Sequence, residues 1–435
     1  MPDGPVWRNW GRNQVCQPAA EELPYSELEV IEAVRRARRT GQRVKVTGSG
    51  HSFTDIACTD GRLVAVDCLD RMVAVDEESR TVTVEAGMTI RTLNAQLAER
   101  GLALENMGDI DRQTVAGAIS TGTHGTGVRY GGMPTMVRGL ELVTAEGEVL
   151  RCSAEEEPEV FHCARVGLGA LGIVTKVTLQ CVPAYNLHHV VRPGRLDDVV
   201  VELADAVDAH DHFEFYWLPH TDSCTTIAND RTNEPAQPKS AYKTWRAEVF
   251  YPNYVFGALT TLGRLLPSRV PRLAEIIASG AGGTDLVNRS DLVFTSTRLM
   301  RFTEMEYGIP REHAIEAVLG IRDLIEDHGL VVSLPVEVRF LAGDDVPLSM
   351  AHGRESCFVA VHLVRGVRYE EYFEAVEELM NRFGGRPHWG KLHFQTRATL
   401  APRYPEWDRF RALRARLDPQ GVFANAYLDR VLGPV

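Results

Sequence analysis

The sequence predicts an α+β fold, in which short strands and amphipathic helices follow one another without the regular alternation of a βαβ protein. Three observations carry the prediction. Short β-type runs recur along the chain, helices are marked by apolar stripes and capping residues, and no apolar run reaches the roughly 18 residues of a membrane span. The chain has 435 residues, of which 44% are hydrophobic and 24% charged. This size and composition are typical of a soluble protein with about two or three domains, each with its own core.

A first domain is predicted over residues 1–183, built from short strands and helices. Its first helix is expected over residues 25–40, because Ser26 and Glu29 can form a capping box and Gly41 can end the helix. Strands are predicted at residues 43–47, 63–67, 81–85, 140–144 and 173–180, and a second helix at residues 90–100.

The composition changes after Pro183, and a second domain with an antiparallel sheet flanked by helices is predicted over residues 184–375. Its helices are expected at residues 310–328 and 368–383, and its strands at residues 334–341 and 357–363. Residues 229–292 mix polar turns with Leu- and Ile-rich patches and predict no topology. A third segment, residues 376–435, is dense in aromatic and basic residues and has a final helix near residues 405–416.

The charge balance excludes several classes of partner. Lys and Arg number 47 against 59 Asp and Glu, which gives a net charge of −12. Such a surface is unsuited to nucleic acid and gives no indication of association with an anionic membrane. The beginning of the chain lacks the features of a signal peptide, and the eight cysteines form no CxxC pair. We therefore expect free thiols, no metal site and a cytoplasmic location.

The turn at Gly48-Ser49-Gly50-His51 is the first candidate functional segment. A β-type run ends in two glycines, which let the backbone turn sharply and approach a ligand closely. A histidine fixed directly behind them can meet that ligand with its ring. On this segment alone, a strand ending in a glycine turn with a polar histidine at its tip explains the pattern at least as well.

Two further segments are rich in glycine. Residues Gly117–Gly127 interleave four glycines with threonine and serine, so that free N–H and hydroxyl groups can surround a pyrophosphate. This loop matches neither the GxGxxG pattern of dinucleotide folds nor a P-loop, and a glycine-rich turn without a ligand is equally consistent with it. Residues Gly167–Gly172 lead into a β-run that begins at Ile173. A tight connection into that strand, without a ligand, is also a plausible explanation of this pattern.

Three segments in the second half carry candidate polar groups. Glu337 and Arg339 are two apart on a predicted strand and share one face, where they can orient substrate hydroxyls or form an exposed ion pair. His362 ends an apolar strand run, and a histidine in that position is more often a core or edge residue with satisfied hydrogen bonds than a catalytic residue. The run Arg386-Pro-His388-Trp389-Gly390-Lys391 places a lysine near an apolar ring, where its pKa can fall or its charge can meet a developing anion.

In this order, the motifs resemble those of the vanillyl-alcohol-oxidase-type flavoproteins, within the aldonolactone and alditol oxidase branch. The segments that carry the resemblance are Gly48-Ser-Gly-His51-Ser-Phe, Gly122-Thr-His-Gly-Thr-Gly127, Gly169-Ala-Leu-Gly172, Glu337-x-Arg339 and Arg386-Pro-His-Trp-Gly-Lys391. It extends from Trp10 to Leu432 and is weakest across residues 229–292. It implies an N-terminal PCMH-type FAD-binding domain, a substrate domain, and a C-terminal segment that completes the active site and packs on the FAD domain.

The resemblance implies FAD bonded covalently to the ring of His51 through the 8α-methyl of its isoalloxazine, with no second covalent bond. The Gly122–Gly127 loop would cover the pyrophosphate. The other residues expected to contact the cofactor are Gly48, Ser49, Gly50, Ser52, Gly108, Gly117, Thr121, Gly122, Thr123, His124, Gly125, Gly127, Gly172, Ile173, His388 and Lys391.

On the substrate side, the resemblance assigns Lys391 a place beside the flavin and the reacting carbon, where its charge favours loss of the hydroxyl proton. Arg339 would hold the oxygen that becomes the carbonyl, while Glu337 and His362 would bind further hydroxyls. Asp109 would also contact substrate; alditol oxidases tend to have serine there, so an acid favours the lactone branch. Polar contacts must orient such a small polar substrate.

The implied reaction is oxidation of an aldonolactone, L-gulono-1,4-lactone or a close relative, at its C2 alcohol, giving L-ascorbate or an analogue. Glycine at position 108 lacks the methyl group that hinders oxygen in related dehydrogenases, so it favours oxygen as acceptor and hydrogen peroxide as product. Three alternatives stay open: a lactone dehydrogenase with another acceptor, an alditol oxidase acting on xylitol or sorbitol, and a catalytically silent flavin-binding protein. The oligomeric state is not predicted.

Overall fold

The computed structural model describes residues 5–435 and confirms the predicted mixture of helix and sheet. Two hydrophobic cores organise these residues. One core unites the first 180 or so residues with the C-terminal helices, and the other lies between a large antiparallel sheet and its helices. All eight cysteines are free thiols.

The N-terminal region contains two main sheets. A parallel sheet has the strand order Ala20–Glu22, Arg62–Ala65, Val44–Thr47. An antiparallel sheet has the order Val149–Ser153, Val137–Val143, Ile173–Gln180, Thr81–Glu85, Met72–Asp76. Helices Glu27–Arg39, Ile90–Ala98, Val115–Ser120 and Pro158–Ala164 accompany them, and the two-residue strands Trp7–Arg8, Val15–Cys16, Leu102–Ala103 and Val182–Pro183 pair outside them.

The first helix, Glu27–Arg39, lies within two residues of its predicted bounds, with one difference at its cap. The Ser26 hydroxyl accepts a hydrogen bond from the backbone N–H of Glu29 at 3.3 Å. The Glu29 carboxylate accepts from the N–H of Tyr25 at 2.8 Å instead of returning to Ser26, so the capping box is not reciprocal. Gly41 follows the helix with φ +64°, a conformation that glycine adopts without strain.

The second region is built on an eight-stranded antiparallel sheet. Its strand order is Thr284–Arg289, Asn186–Arg195, Ser223–Thr232, His212–Trp217, Val336–Leu341, Ser356–Val364, Phe302–Pro310, Arg386–Pro387. Three helices, Leu196–Ala209, Ala314–Asp327 and Glu370–Arg382, pack their apolar residues against one face. Because side chains alternate along a strand, the residues between those core positions point to the other face, where the charged groups described below collect.

Residues 229–292, for which the sequence predicts no topology, divide into sheet edges and helices. The segment completes the strand Ser223–Thr232 and supplies the edge strand Thr284–Arg289. Between them lie helices Ala241–Thr244, Phe256–Leu265 and Val270–Ser279 and the π-helical stretch Trp245–Val255, and helix Ser290–Phe294 follows the edge strand. No helix of residues 5–435 is long and apolar enough to cross a membrane.

The C-terminal segment returns to the first core. After the short strand Arg386–Pro387 come helices Arg397–Leu400, Trp407–Leu417 and Ala426–Val431. Trp407, Phe410 and Tyr427 are buried in the same core as the N-terminal helices. The end of the chain therefore holds the Arg386–Lys391 run against the N-terminal region.

Candidate active site

The turn behind strand Val44–Thr47 offers a row of unused backbone donors. None of the N–H groups of residues 48–52 donates a hydrogen bond to another group of residues 5–435. Gly50 has φ +65°, and a Cβ on Gly48 would lie 2.2 Å from the Thr114 hydroxyl. The turn is thus kept clear of side-chain bulk, and its donors are available to a ligand with acceptor oxygens such as a pyrophosphate.

This turn forms one wall of a first cavity. Small and apolar residues make up most of the lining, including Gly48, Gly50, Gly117, Gly169 and Gly172. Its buried basic group is Lys45, whose Nζ donates to the carbonyls of Gly169 and Phe423 at 3.4 Å each. Burial lowers the pKa of Lys45 to about 7. A cavity of backbone donors and apolar walls fits the dinucleotide part of FAD.

His51 lies where this cavity meets a second one. Its ring stacks on Trp10 with centroids 5.3 Å apart. Burial, helped by the charges of Lys391 and Arg112, lowers its pKa to about 4, so the imidazole is neutral at pH 7. Ser52, Gln113 and Thr121 also line both cavities.

The second cavity is lined by 18 residues, of which eight have ionisable side chains. Its lining includes Asp109, Glu304, Glu306, Arg339, His388 and Lys391, with Trp10, Phe53 and Phe302 as apolar walls. The groups come from three parts of the chain: the Gly108-Asp109 turn, the open face of the large sheet, and the Arg386–Lys391 run.

Lys391 is fixed by a carboxylate from the neighbouring strand. The N–H groups of His388 and Leu392 donate to the carbonyls of Glu306 and Glu304, at 2.9 and 2.8 Å, so this run follows the strand Phe302–Pro310. The Lys391 ammonium consequently forms an ion pair with Glu304. Burial lowers the pKa of Lys391, but Glu304 and Glu306 outweigh that effect and raise it above its ordinary value. Lys391 is therefore a permanent cation at neutral pH.

Glu304 also holds a histidine. The second nitrogen of His362, Nε2, lies 3.4 Å from Glu304 Oε1 and 3.8 Å from Glu337 Oε2. Its Nδ1 lies 2.9 Å from the carbonyl of Pro335. Burial lowers the pKa of His362, but the hydrogen bond to Glu304 and the two carboxylates raise it above its ordinary value.

Arg339 is the centre of a network on the open face of the sheet. It forms ion pairs with Glu337 and with Glu214, the latter at 2.5 Å. The Tyr216 hydroxyl donates to Glu337 Oε1 at 3.0 Å and accepts from Arg339 at 3.4 Å. Burial lowers the pKa of Arg339, but Glu214 and Glu337 raise it well above its usual range. The guanidinium is therefore charged and held in one orientation.

Asp109 joins this network from the N-terminal region. Its carboxylate accepts from Arg298 at 3.1 Å and from Ser296 at 3.3 Å, and it lies 3.9 Å from Arg339. Burial raises the pKa of Asp109, but Arg298 and Arg339 overcome that effect and lower it to about 2. An ionised carboxylate thus faces the cavity.

Glu306 lies between two buried histidines. His124 Nδ1 lies 2.9 Å from the Gly125 carbonyl, so this nitrogen carries a proton, and His124 Nε2 lies 3.3 Å from Glu306 Oε1. That second contact is attractive only when a proton lies between the two atoms. His388 Nδ1 accepts from the Gly390 N–H at 3.0 Å, and burial lowers the pKa of His388 to about 3.

The donor atoms of His124, Glu306 and His388 all lie within 4.8 Å of one another. Such a set could hold a divalent cation, and the absence of a metal site stays a prediction. The contacts of His124 Nδ1 with the Gly125 carbonyl and of His388 Nδ1 with the Gly390 N–H also account for these side chains without a metal.

The structure brings most of the predicted residues to the two cavities. Gly48, Ser49, Gly50, His51, Ser52, Gly117, Thr121 and Gly172 line the first cavity, and Gly108, Asp109, Thr123, His124, Arg339, His388 and Lys391 line the second. Glu337 and His362 line neither cavity. Glu337 contacts Arg339, and His362 contacts Glu304, and both of these partners line the second cavity.

Four predicted cofactor residues also lie away from the cavities: Gly122, Gly125, Gly127 and Ile173. A Cβ on Gly125 would lie 2.3 Å from Asn106 Oδ1, and the N–H of Gly127 donates to the Phe340 carbonyl at 2.6 Å. Close packing of the loop explains these glycines. Ile173 is buried in the first core.

Several site residues were not predicted. Glu304 and Glu306 contact Lys391, His362 and His124, while Glu214, Tyr216 and Arg298 hold Arg339 and Asp109. The only sequence signal was Glu304-x-Glu306 within the run Phe302–Pro310, where two acids alternate with apolar residues. That pattern resembles an exposed edge strand, so only the covering N-terminal region reveals a buried site.

Comparison with known proteins follows the same division of the chain. Residues 177–431 match the family described as D-arabinono-1,4-lactone oxidase. The chain belongs to this family. Residues 18–153 match the FAD binding domain family, so FAD is the cofactor of its N-terminal region. The resemblance to aldonolactone-oxidising flavoproteins stated from the sequence motifs is confirmed.

Relatives cover the whole chain. The L-gulono-1,4-lactone dehydrogenase of Mycobacterium tuberculosis is 46% identical, over 99% of this chain and 100% of its own length. The L-gulonolactone oxidase of Bos taurus is 38% identical, over 98% of each chain. Among solved structures, a solvent-stable cholesterol oxidase superposes with a TM-score of 0.82 over 99% of this chain and 98% of its own. At 18% identity, that likeness shows the fold alone.

Proposed function

We propose that this protein oxidises the C2 alcohol of an aldonolactone, L-gulono-1,4-lactone or a close relative, to a ketone that rearranges to L-ascorbate or an analogue. One observation carries the proposal: the second cavity, with Lys391, Arg339 and Asp109 on its walls, adjoins the first cavity and its free backbone donors at His51. The names of the relatives support this substrate class.

FAD, when bound, supplies the acceptor for the two electrons and the hydrogen that leave the C2 carbon as hydride. The side chains do the rest. The Lys391 ammonium and the Arg339 guanidinium are fixed cations, so they stabilise negative charge on the substrate oxygen as its proton leaves. Glu304 is ionised, because Lys391 and His362 outweigh the effect of burial and lower its pKa, and it lines the same cavity. We assign it as the acceptor of that proton.

The network also favours a neutral lactone over the corresponding aldonate anion, because the cavity already holds the Asp109 carboxylate. Asp109 is held as an anion by Arg298 and Arg339, so it accepts hydrogen bonds from substrate hydroxyls but repels a free carboxylate. A neutral, compact lactone with several hydroxyls satisfies these fixed charges without placing a second anion beside Asp109. Glu337 acts on substrate through Arg339, because it lies behind that guanidinium.

His51 is proposed to hold the flavin covalently through its 8α-methyl group. Its ring lies at the junction of the cavities and is neutral at pH 7, as a ring nitrogen must be to form a bond to carbon. Acid precipitation tests this assignment directly. The wild-type pellet should stay yellow and a His51→Ala pellet should be colourless; a colourless wild-type pellet refutes the covalent bond.

Molecular oxygen is proposed as one electron acceptor, because Gly108 lines the second cavity without a side chain. A dye or cytochrome would serve a dehydrogenase, the activity in the name of the mycobacterial relative. The two alternatives differ in the rate at which oxygen re-oxidises the substrate-reduced enzyme.

The decisive experiment is anaerobic mixing of the flavin-loaded protein with a panel of aldonolactones and alditols while the flavin absorbance is followed. L-gulono-1,4-lactone or a relative should bleach the flavin, and xylitol and sorbitol should bleach it more slowly. Air is then admitted to measure peroxide. Absence of bleaching with every lactone would sink the proposal, and faster bleaching by alditols would replace its substrate.

A further inference from the structure

Lys45 is a buried basic residue of the first cavity without an acidic partner. It is 2% exposed, and its Nζ donates to the carbonyls of Gly169 and Phe423 at 3.4 Å each, which is long for a hydrogen bond. No carboxylate among the side chains that the structure describes lies within 4.0 Å of this nitrogen. Burying an ammonium without a counter-ion is costly, so the position of Lys45 calls for an explanation.

Two charged side chains of the C-terminal segment act on Lys45 without forming an ion pair with it. Burial and the charge of Arg414 lower the pKa of Lys45 to about 7, and Asp418 offsets this effect only in part. The Asp418 carboxylate is already engaged, because it accepts hydrogen bonds from the N–H groups of Val422 and Phe423 at 2.7 and 2.8 Å. At pH 7 the Lys45 amine is therefore neutral in about half of the molecules.

The first cavity has almost no charged side chains on its walls. Among the described residues that line it, Lys45 is the only lysine or arginine, and none is an aspartate or glutamate. Its histidine, His51, is neutral at pH 7 because burial lowers its pKa to about 4. The diphosphate of FAD is a dianion, whereas backbone N–H groups such as those of Gly48 and Gly50 offer only partial charges. Lys45 is thus the lining residue that can supply a full positive charge to the diphosphate.

We propose that Lys45 binds the diphosphate of FAD and takes up a proton from solvent when the cofactor enters the first cavity. In the flavin-free protein, the neutral amine avoids placing an unpaired charge in the interior beside Arg414. The diphosphate then provides the missing counter-ion and stabilises the ammonium form, as a carboxylate would. The step concerns loading of the cofactor, so it is independent of which substrate the enzyme oxidises.

Proton uptake makes FAD binding weaker at high pH. Binding raises the pKa of Lys45 above its value of about 7 in the flavin-free protein. Below pH 7 the amine is already protonated, so FAD binding takes up few protons and the affinity changes little with pH. Above pH 7 each binding event takes up nearly one proton, and the affinity should fall by about tenfold per pH unit until the pKa of Lys45 in the complex is reached.

The test uses the full-length His51→Ala protein, freed of flavin, so that FAD binds reversibly. Isothermal titration calorimetry in buffers of different ionisation enthalpy counts the protons that each FAD brings with it. We expect nearly one proton per FAD at pH 8 and far less at pH 6. The dissociation constant of FAD should rise by about tenfold between pH 8 and pH 9. These measurements need no turnover, so they stand apart from the proposed reaction.

Two substitutions at position 45, each made in the His51→Ala protein, separate charge from packing. Lys45→Met keeps the apolar stem but no amine, so FAD should bind about 10- to 100-fold more weakly at pH 6 and without proton uptake at pH 8. Lys45→Arg carries a permanent cation, so it should restore tight binding at pH 8, again without proton uptake. A lysine that only fills space would leave the proton count unchanged in both variants.

Lys176→Met is the matched control, because Lys176 pairs with Glu27 and Glu141 and does not line the cavity. It should bind FAD and take up protons as the parent protein does. Thermal unfolding of the flavin-free variants detects a folding defect, and if Lys45→Met does not fold, the parent and Lys45→Arg still decide. The proposal is overturned if the parent takes up no proton at pH 8, or if Lys45→Met takes up as many as the parent.

ADP identifies the part of the cofactor that Lys45 binds, because it carries the diphosphate without the flavin. It should compete with FAD less well in Lys45→Met than in the Lys176→Met control. Equal competition in the two variants would refute the contact with the diphosphate.

Discussion

The two adjoining cavities are built by opposite means. The first is formed by glycine turns and free backbone N–H groups, with Lys45 as its buried basic group. The second is formed by charged side chains, among them Asp109, Glu304, Arg339 and Lys391. A cavity of backbone donors depends on shape, because any added side chain fills it. A cavity of paired charges depends on the balance among its members, because each group fixes the position and charge of the next.

The largest effect is expected from Lys391→Met, which removes the cation beside the reacting oxygen while keeping the apolar stem. Turnover should fall by about 10²–10³-fold, the usual cost of losing a group that stabilises developing charge, while the flavin stays bound. Stopped-flow bleaching under anaerobic conditions measures the rate. Lys176→Met is a matched control, since Lys176 pairs with Glu141 and Glu27 in the N-terminal sheet; equal losses in both variants would refute a local role.

Glu304→Gln should have the next largest effect, because it changes both Lys391 and the proton acceptor. Turnover should fall on the order of tenfold to a hundredfold. Glu304 raises the pKa of Lys391, so its loss lowers that pKa. If the lysine must be protonated, the rate is lost as pH rises through its pKa, and the alkaline limb of the pH–rate profile should move to lower pH. An unmoved limb would contradict the proposed coupling.

Gly48→Ala tests the first cavity by shape alone. The new Cβ would lie 2.2 Å from the Thr114 hydroxyl and 2.7 Å from its methyl group, so the turn must shift. We expect purified protein with reduced flavin content and normal turnover per bound flavin, measured by absorbance ratio. Gly282→Ala, where a Cβ meets nothing within 4 Å, is the control. A full flavin complement in the Gly48 variant would show that the turn does not contact the cofactor.

Gly108→Ala should have the smallest effect. The added methyl group would lie 3.1 Å from the His124 carbonyl and from the Thr123 methyl, so it fits only after a small shift. Re-oxidation by oxygen should slow a few-fold while reduction by lactone and turnover with a dye stay near the wild-type rate. A parallel fall in the anaerobic rate would instead indicate a displaced substrate or flavin.

The contrast between the cavities explains which parts of the candidate site could be predicted from the sequence. Glycines that must stay free of side chains cluster in short runs, and such runs predicted Gly48–His51 and Gly117–Thr121 as cofactor-binding segments. The charged groups are brought together by strand pairing across long sequence separations. Glu304 meets Lys391, and Glu214 meets Arg339, only after the sheet forms. No local pattern distinguishes these acids from those on an exposed strand.

Secondary structure shows the same limit. The strand Thr81–Glu85 was predicted with its observed bounds, and helix Glu27–Arg39 within two residues, because capping and periodicity are local. The strands Asn186–Arg195 and Phe302–Pro310 were not predicted, because basic residues interrupt the apolar pattern of the first and acidic residues that of the second. The role of those polar residues is apparent only once their interaction partners on neighbouring strands are known.

The residues that follow His51 are held by hydrogen bonds with the C-terminal segment of the chain. The Phe53 N–H donates to the Gly390 carbonyl at 2.7 Å, and the Asn425 side chain donates to the carbonyls of Asp55, Ile56 and Cys58, the last at 2.9 Å. During synthesis these partners emerge long after the glycine turn has left the ribosome. Contacts of such high sequence separation form slowly. The setting of His51 therefore has a built-in order: a chain that ends before Gly390 and Asn425 lacks these hydrogen bonds, and His51 reaches its final surroundings only after the C-terminal segment has packed on the turn.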